Sequence, residues 1–121
     1  MEANKTKQIQ DAIDELRSEL ARAKANEEKK RIRAKLIRYG KALSRLENLE
    51  LDLWSLETEG YLAGVKKLLK LVSKYNRSKF MKVRIIEDSI RIKKQSIKVD
   101  LEVILLDEYI YKLTATISSP F

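Results

Sequence analysis

The sequence predicts an α+β protein in which helices are followed by an antiparallel β-meander. The stretch from about Lys5 to Gly60 contains no proline and one internal glycine, and it is rich in Ala, Leu, Glu, Lys and Arg, which favour helices. From Phe80 onward, apolar and polar residues alternate with the two-residue period of a half-buried strand. The 121 residues correspond to one ordinary domain, or to a small domain with an appendage.

The first predicted helix has an apolar stripe whose members are spaced by four, three, four and three residues. This spacing is typical of a short coiled-coil seam. The stripe consists of Ile9, Ile13, Leu16, Leu20 and Ala23. A second stripe follows, and it consists of Ile32, Leu36, Tyr39, Leu43, Leu46, either Leu49 or Glu50, and Leu53.

The two stripes are out of phase with each other. Nine residues separate Ala23 from Ile32, and at about 100° per residue this offset is half a turn of helix. We therefore favour two antiparallel helices joined by a turn near residues 25–28, with Asn26 as the N-cap of the second helix. The alternative is one long helix that dimerises through two separate seams.

A third, amphipathic helix is predicted after a break at residues 58–60. Its apolar face consists of Tyr61, Leu62, Val65, Leu68, Leu69, Val72 and Tyr75. Lys66, Lys67, Lys70 and Lys74 lie on the opposite face, and Asn76 closes the helix. The protein is thus expected to divide into a helical hairpin at residues 1–58 and a basic helix with a meander at residues 59–121.

The meander is predicted to have three or four strands, with one face buried and one face in water. Met81, Val83 and Ile85 face inward, a turn follows at residues 87–89, and Ile90 and Ile92 then face inward. After residues 94–96 the alternation slips by one, which indicates a bulge or a separate short strand. The later inward residues are Ile97, Val99, Leu101, Val103, Leu105, Tyr109, Tyr111, Leu113, Ala115 and Ile117. A turn at Asp107 and Glu108 separates the last two strands.

The composition argues against catalysis. The chain has no Cys and no His, so disulfides, thiol nucleophiles and the commonest metal ligand are excluded. The three glycines do not form a phosphate-binding loop. A cation bound by Asp88, Asp107 and Glu108 is a minor alternative to their being solvated turn residues. We predict no catalytic residue, no metal, no cofactor and no small-molecule substrate.

No signal peptide or membrane-spanning run is visible, so an intracellular, cytoplasmic protein without a membrane partner is expected.

The net charge is +8, and the pI is near 9.7. Residues 61–98 hold twelve basic side chains against only Glu87 and Asp88. A second basic block, residues 22–45, holds ten basic side chains against Glu27 and Glu28.

The block at residues 61–98 predicts binding to a polyanion, because crowded like charges repel one another and a polyanion relieves that repulsion. The expected partner is DNA or RNA, bound through backbone phosphates with low sequence specificity, since lysine is a point charge. These cations are expected to converge on one exposed surface, formed by a basic helix face beside a basic sheet face. The predicted nucleic-acid-binding residues are Lys66, Lys67, Lys70, Lys74, Arg77, Lys79, Lys82, Arg84, Arg91, Lys93, Lys94 and Lys98. The same lysines could instead serve as a solvated surface that blocks strand-edge aggregation.

A second hypothesis is protein–protein assembly, including an inhibitor-like or virion-component role. The helices have more apolar residues in their stripes than one contact between two helices can bury. This excess suggests a homodimer in which four helices pack together. The predicted self-association residues are Ile9, Ile13, Leu16, Leu20, Ile32, Leu36, Leu43, Leu46, Leu53 and Trp54. Trp54 is also expected to anchor the helices on the sheet. Both hypotheses are compatible, because dimerisation doubles the basic surface.

Overall fold

The computed structural model describes residues 7–120 and contains three α-helices followed by three β-strands. The predicted α+β class is therefore confirmed. The elements are α1 (Lys7–Arg22), α2 (Asn26–Trp54), a 3-10 turn (Ser55–Thr58), α3 (Tyr61–Asn76), β1 (Met81–Ile92), β2 (Ser96–Leu105) and β3 (Tyr109–Ser118). None of the helices in this part of the chain has the length and apolar character needed to span a bilayer.

The predicted break between the first two helices is present. α1 ends at Arg22 and α2 begins at Asn26, so the alternative of one unbroken helix is wrong. Glu27 and Glu28 occupy the first turn of α2, where the exposed backbone N–H groups favour negative charge. The antiparallel packing of α1 on α2 stays a prediction.

The chain forms two compact units, one up to Leu46 and one from Glu47 onward. In the first unit the predicted stripe of α1 is buried at Ile9, Ile13 and Leu16, and α2 buries Ile32 and Tyr39. The second unit contains the end of α2, α3 and the sheet. The predicted assignment of separate roles to residues 1–58 and 59–121 stays a prediction.

The sheet has the strand order β1-β2-β3, and both pairs are antiparallel. Val83, Val103 and Tyr111 lie side by side in the register, and all three are buried. This inner face is the predicted core face of the meander. Alternation in the sequence predicted it because every second side chain of a strand points to the same side.

The predicted turn at residues 87–89 is wrong. β1 continues through these residues as a bulge, because the partners of Ile86 and Arg91 in β2 are Asp100 and Lys98, only two positions apart. The Ser89 hydroxyl donates a hydrogen bond to the backbone oxygen of Ile86 at 2.7 Å. Polar residues with turn propensity therefore form an extra loop within one strand, and the sheet has three strands rather than four.

The slip predicted after residues 94–96 coincides with the true hairpin turn. β1 ends at Ile92, and the Lys93 backbone N–H donates to the Ser96 carbonyl at 2.8 Å. The predicted turn between β2 and β3 is present at residues 106–108. Leu106 and Asp107 both have positive φ there, at 56° and 57°, which is the left-handed backbone of a tight hairpin turn.

α3 covers the inner face of the sheet and contacts β1 and β3. Leu68, Leu71 and Tyr75 are buried on its sheet side. Gly64 also lies on this side, and a Cβ atom at Gly64 would lie only 2.8 Å from Cγ2 of Ile117. A glycine is therefore required for this close approach of helix and strand.

The outer edge of β1 is closed at one point by a side chain. The Asn76 amide group donates to the Val83 carbonyl at 2.7 Å and accepts from the Val83 N–H at 2.6 Å. The side chain thus takes the place of a neighbouring strand for this residue. It connects the end of α3 to the start of the sheet, which fixes the position of the basic residues in between.

Candidate nucleic-acid interface

The side of α3 that faces away from the sheet carries two predicted binding residues. Lys66 and Lys70 are four residues apart, so their side chains lie one above the other on the helix surface. Both are exposed, and neither has a carboxylate partner within the described part of the chain. These two ammonium groups are free to meet an anion.

The other two lysines of α3 lie on its flanks and are already paired. Lys67 Nζ is 3.4 Å from Oε1 of Glu59, and Lys74 Nζ is 3.9 Å from Oδ2 of Asp52. The same Asp52 oxygen accepts a 2.6 Å hydrogen bond from the hydroxyl of Tyr75. These lysines therefore contribute less positive charge to the surface than the sequence suggested.

Arg77 and Lys79 lie in the connection between α3 and β1, and both are exposed. Between them, Ser78 is buried and its hydroxyl accepts a hydrogen bond from the Phe80 N–H at 3.2 Å. The connection is therefore held in place while its two cations face water. Together with Lys66 and Lys70 they form what we call the helix-side cations.

The outer face of the sheet, opposite α3, carries predicted binding residues that are neutralised by neighbouring strands. Arg84 and Glu102 are register partners, and Nε of the arginine donates to Oε1 of the glutamate at 2.9 Å. Arg91 forms two hydrogen bonds with Asp100, from Nη1 to Oδ2 at 2.9 Å and from Nη2 to Oδ1 at 3.2 Å. The centre of this face is therefore a set of ion pairs.

Asp100 is the centre of that set and is only 1% exposed. Besides the two bonds from Arg91, it accepts a 2.7 Å hydrogen bond from the Thr114 hydroxyl and lies 3.4 Å from Nζ of Lys112. The hydrogen-bonded guanidinium of Arg91 lowers the pKa of Asp100 well below its ordinary value, with help from Thr114 and Lys112 and against the effect of burial. The carboxylate is thus a fixed negative charge inside a basic face.

The remaining predicted binding residues lie around this set of ion pairs. Lys82 and Lys98 are on the outer face at opposite ends of the β1–β2 pairing, since their register partners are Ile104 and Arg91. Lys93 and Lys94 lie in the turn between β1 and β2 and are exposed. None of these four lysines has a carboxylate partner among residues 7–120.

The twelve predicted residues therefore occupy two opposite faces of the second unit and the connections between them, rather than one surface. Four of the twelve, Lys67, Lys74, Arg84 and Arg91, form ion pairs. The other eight have no carboxylate partner in the described chain. Positive charge that is not compensated is concentrated on the helix-side cations and at the margins of the sheet.

The sequence-based site omitted a basic row on α2. Between Lys29 and Arg45 the helix has eight basic residues and no acidic residue. Arg31, Arg38 and Arg45 are exposed and recur every seven residues. The signal for this row was the positive block at residues 22–45, which the sequence alone did not assign to a surface.

Most of the predicted self-association residues are used inside the chain. Ile9, Ile13, Leu16, Ile32, Leu46 and Leu53 are buried. Leu20, Leu36 and Leu43 are half-buried. Trp54 is 69% exposed and therefore does not anchor the helices on the sheet as expected, and Leu51, three residues before it, is 61% exposed.

An apolar cleft lies between α3 and the part of the sheet beyond the bulge. Its lining residues are Tyr61, Val65, Leu68, Leu69, Ile85, Ile90, Ile92, Ile97, Val99 and Ile117. Ile90 and Ile92 were expected to face a buried core, and they do face the cleft, but Ile92 is 65% exposed. The two isoleucines therefore line an open cleft rather than a closed core.

The described residues do not include a cluster of three acidic side chains suited to a metal ion. Asp88 lies in the bulge of β1, whereas Asp107 and Glu108 lie in the turn beside the start of β1, at the other end of the sheet. The minor cation hypothesis therefore has no geometric support.

Comparison of the chain with protein-family models, curated proteins and solved structures gives no match.

Proposed function

We propose that this protein is a non-enzymatic binder of nucleic acid that contacts backbone phosphates with low sequence specificity. The observation that supports this proposal is the set of eight predicted cations without a carboxylate partner in the described chain. Lys66 and Lys70 repel each other across one helical turn, and that repulsion is relieved only by an external anion. A polyanion gains further free energy from the release of its condensed counterions.

The chemistry of the helix-side cations supports backbone contact rather than base reading. Lys66, Lys70 and Lys79 each present a flexible ammonium group, which attracts a phosphate but does not match the paired acceptors of a base edge. The ordered guanidinium groups of Arg84 and Arg91, which could read bases, are occupied by Glu102 and Asp100. Low sequence specificity follows from this division, since Arg77 is then the one helix-side cation whose guanidinium can read a base edge.

The test is a double charge reversal on α3. We expect Lys66→Glu with Lys70→Glu to weaken binding to duplex DNA by on the order of tenfold at low salt, because two phosphate contacts become repulsive. Fluorescence anisotropy with a labelled duplex measures the affinity. Circular dichroism checks that this double variant and the control variant described next are folded.

The matched control is Lys7→Glu with Arg17→Glu on α1, which changes the net charge equally. In the native chain these cations lie 3.8 Å and 3.7 Å from Asp11 and Asp14. The control variant should lose much less affinity than the α3 variant. Equal loss in the two variants would show that only net charge matters and would contradict a site on α3.

A second role, self-association, is favoured by one specific observation. Trp54 and Leu51 are large apolar side chains three residues apart near the end of α2, and they are 69% and 61% exposed. A dimer that covers them leaves the buried stripe residues undisturbed. We therefore propose that assembly uses Trp54 and Leu51 rather than the predicted interior residues.

A further inference from the structure

We propose that the row Arg31, Lys35, Arg38, Lys41 and Arg45 on α2 is a second phosphate-contact surface, and that it makes the protein prefer double-stranded nucleic acid. This inference rests on the proposed function, because it names the class of nucleic acid and an additional surface that binds it. It does not depend on the cations of α3, which lie in the other compact unit.

The row consists of charges that the protein leaves uncompensated. None of the eight basic residues between Lys29 and Arg45 has a carboxylate partner among the described residues. On α1, by contrast, Lys7, Arg17 and Arg22 each lie within 3.8 Å of an acidic side chain of the same helix. α1 has four acidic residues beside its three basic ones, whereas the stretch of α2 from Lys29 to Arg45 has none, so most of its cations lack an acidic neighbour one turn away on the same helix face.

Helical spacing places the five cations on one side of α2. Seven residues span about 700°, close to two full turns, so Arg31, Arg38 and Arg45 lie above one another along the helix. Lys35 and Lys41 lie in the intervals, about 40° and 80° to either side of Arg31 around the helix, which gives separations of roughly 4.5 to 6 Å along the axis. The whole row is about 21 Å long at 1.5 Å per residue.

The row borders the buried face of α2 without entering it. Ile32, Tyr39 and Leu46 each follow one of the three arginines by one residue, and all three are buried. The core therefore fixes which side of α2 carries the arginines, and all three are exposed. Arg31, Lys35 and Arg38 line a groove together with Leu16 and Glu19 of α1, and within the described chain the Glu19 carboxylate forms no ion pair with these three cations.

Such a row is unfavourable without a ligand. Like charges three or four residues apart on a helix repel each other and destabilise the helix. Arg31 and Lys35, Lys35 and Arg38, Arg38 and Lys41, and Lys41 and Arg45 are all such pairs. A phosphate backbone relieves every one of these repulsions at once, and each guanidinium can bind a phosphate through two hydrogen bonds.

A duplex fits the row better than a single strand does. Proteins that bind single strands combine positive charge with exposed aromatic side chains on which bases stack. The only aromatic residue between Lys29 and Arg45 is Tyr39, which is 7% exposed. A band of cations along one side of a helix instead suits the regular phosphate backbone of a duplex, whose two strands together present one charge per about 1.7 Å of axis.

The test uses a triple charge reversal and two probes. The variant is Arg31→Glu with Arg38→Glu and Arg45→Glu, and the probes are a duplex DNA of about 20 base pairs and a single strand of thymidines of equal length. We expect the variant to lose on the order of a hundredfold in duplex affinity and to reduce the slope of log K against log salt by roughly 3. The wild type should bind the duplex more tightly than the single strand.

The control reverses three paired cations of α1, Lys7, Arg17 and Arg22, which gives the same net charge. Helicity measured by circular dichroism identifies any variant that fails to fold. Should the triple arginine variant misfold, Arg31→Gln with Arg38→Gln and Arg45→Gln gives the same test, with about half the change in charge.

The outcomes separate the two proposals. If the arginine variant keeps wild-type duplex affinity while Lys66→Glu with Lys70→Glu loses it, the α2 row is not a contact surface, and the proposed function stands. If the wild type binds the single strand as tightly as the duplex, the duplex preference is overturned. If the wild type binds neither probe at low salt, the proposed function itself is contradicted.

Discussion

The Asp100 carboxylate is the residue that most changes the expected charge map. It lies on the outer face of the sheet, is buried, and accepts hydrogen bonds from Arg91 and Thr114. The sequence indicates Arg91 as a binding residue because it is basic and lies on the outward side of its strand. The sequence does not reveal its partner, because Arg91 reaches Asp100 only through the bulge that shifts the register between β1 and β2.

Asp100 should make stability depend on acid pH. Its folded-state pKa is lowered, chiefly by the hydrogen bonds from Arg91, so the unfolded chain binds a proton more readily, near its ordinary pKa of about 3.9. The stabilisation is therefore complete above that pH and is lost as the pH falls toward the lower folded value. Chemical denaturation of the wild type between neutral and acid pH should show this loss.

The variant Asp100→Asn supplies the comparison. We expect it to be less stable than the wild type at neutral pH, since it removes the charge of the buried group that accepts the hydrogen bonds of Arg91. The asparagine has no proton to bind. The free energy of unfolding of this variant should therefore change less than that of the wild type as the pH falls below the ordinary pKa of an aspartate, about 3.9. An unchanged acid dependence in this variant would show that other carboxylates dominate the effect.

At the scale of elements, the sequence predicted types and faces well, and pairings poorly. The helices follow from helix-forming residues and three- and four-residue spacing, and the strands follow from alternation. Residues 87–89 have turn propensity, yet they form a bulge within β1. Whether such a polar segment reverses the chain or interrupts the pairing of two strands depends on where the neighbouring strand continues. Arg84 and Glu102 are likewise paired by register alone.

The candidate site was predictable to a similar extent. The basic character of residues 61–98 was visible in the composition, and Lys66 and Lys70 were placed on the outward face of α3 by helical spacing. The split of the twelve cations between two faces follows from the same patterns, because a helix that packs its apolar side on the inner face of the sheet must place its lysines on the opposite side of the unit from the outward residues of the strands. The partners Glu59 and Asp52 were hidden, since they come from preceding segments.

Two glycines of the helices should respond in opposite directions to the same substitution. Gly64→Ala should lower the free energy of unfolding by about 1–2 kcal/mol, because the new methyl group would overlap the buried Ile117 side chain. Gly40→Ala should raise it by up to about 1 kcal/mol, because nothing lies within 4 Å of a Cβ at that position of α2. Urea denaturation of both variants measures the difference. Stabilisation by both substitutions would mean that α3 does not approach β3 as closely as described.

At the scale of the whole molecule, Trp54 allows self-association to be tested without a label. It is the only tryptophan in the chain, and it is exposed. If Trp54 and Leu51 form an interface between two copies, the tryptophan emission should shift to shorter wavelength as the protein concentration rises, and Trp54→Glu should sediment as a monomer. An emission maximum typical of exposed tryptophan at all concentrations, with monomeric wild type in sedimentation, would contradict this role.

The central claim is that uncompensated cations on both compact units bind the phosphate backbone of nucleic acid. Its most direct test is the affinity of the wild type for duplex DNA measured across a series of salt concentrations. We predict tight binding at low salt and a loss of at least about a hundredfold between roughly 50 and 200 mM salt, with little difference between duplex sequences. No binding at low salt, or an affinity that does not change across the series, would contradict it.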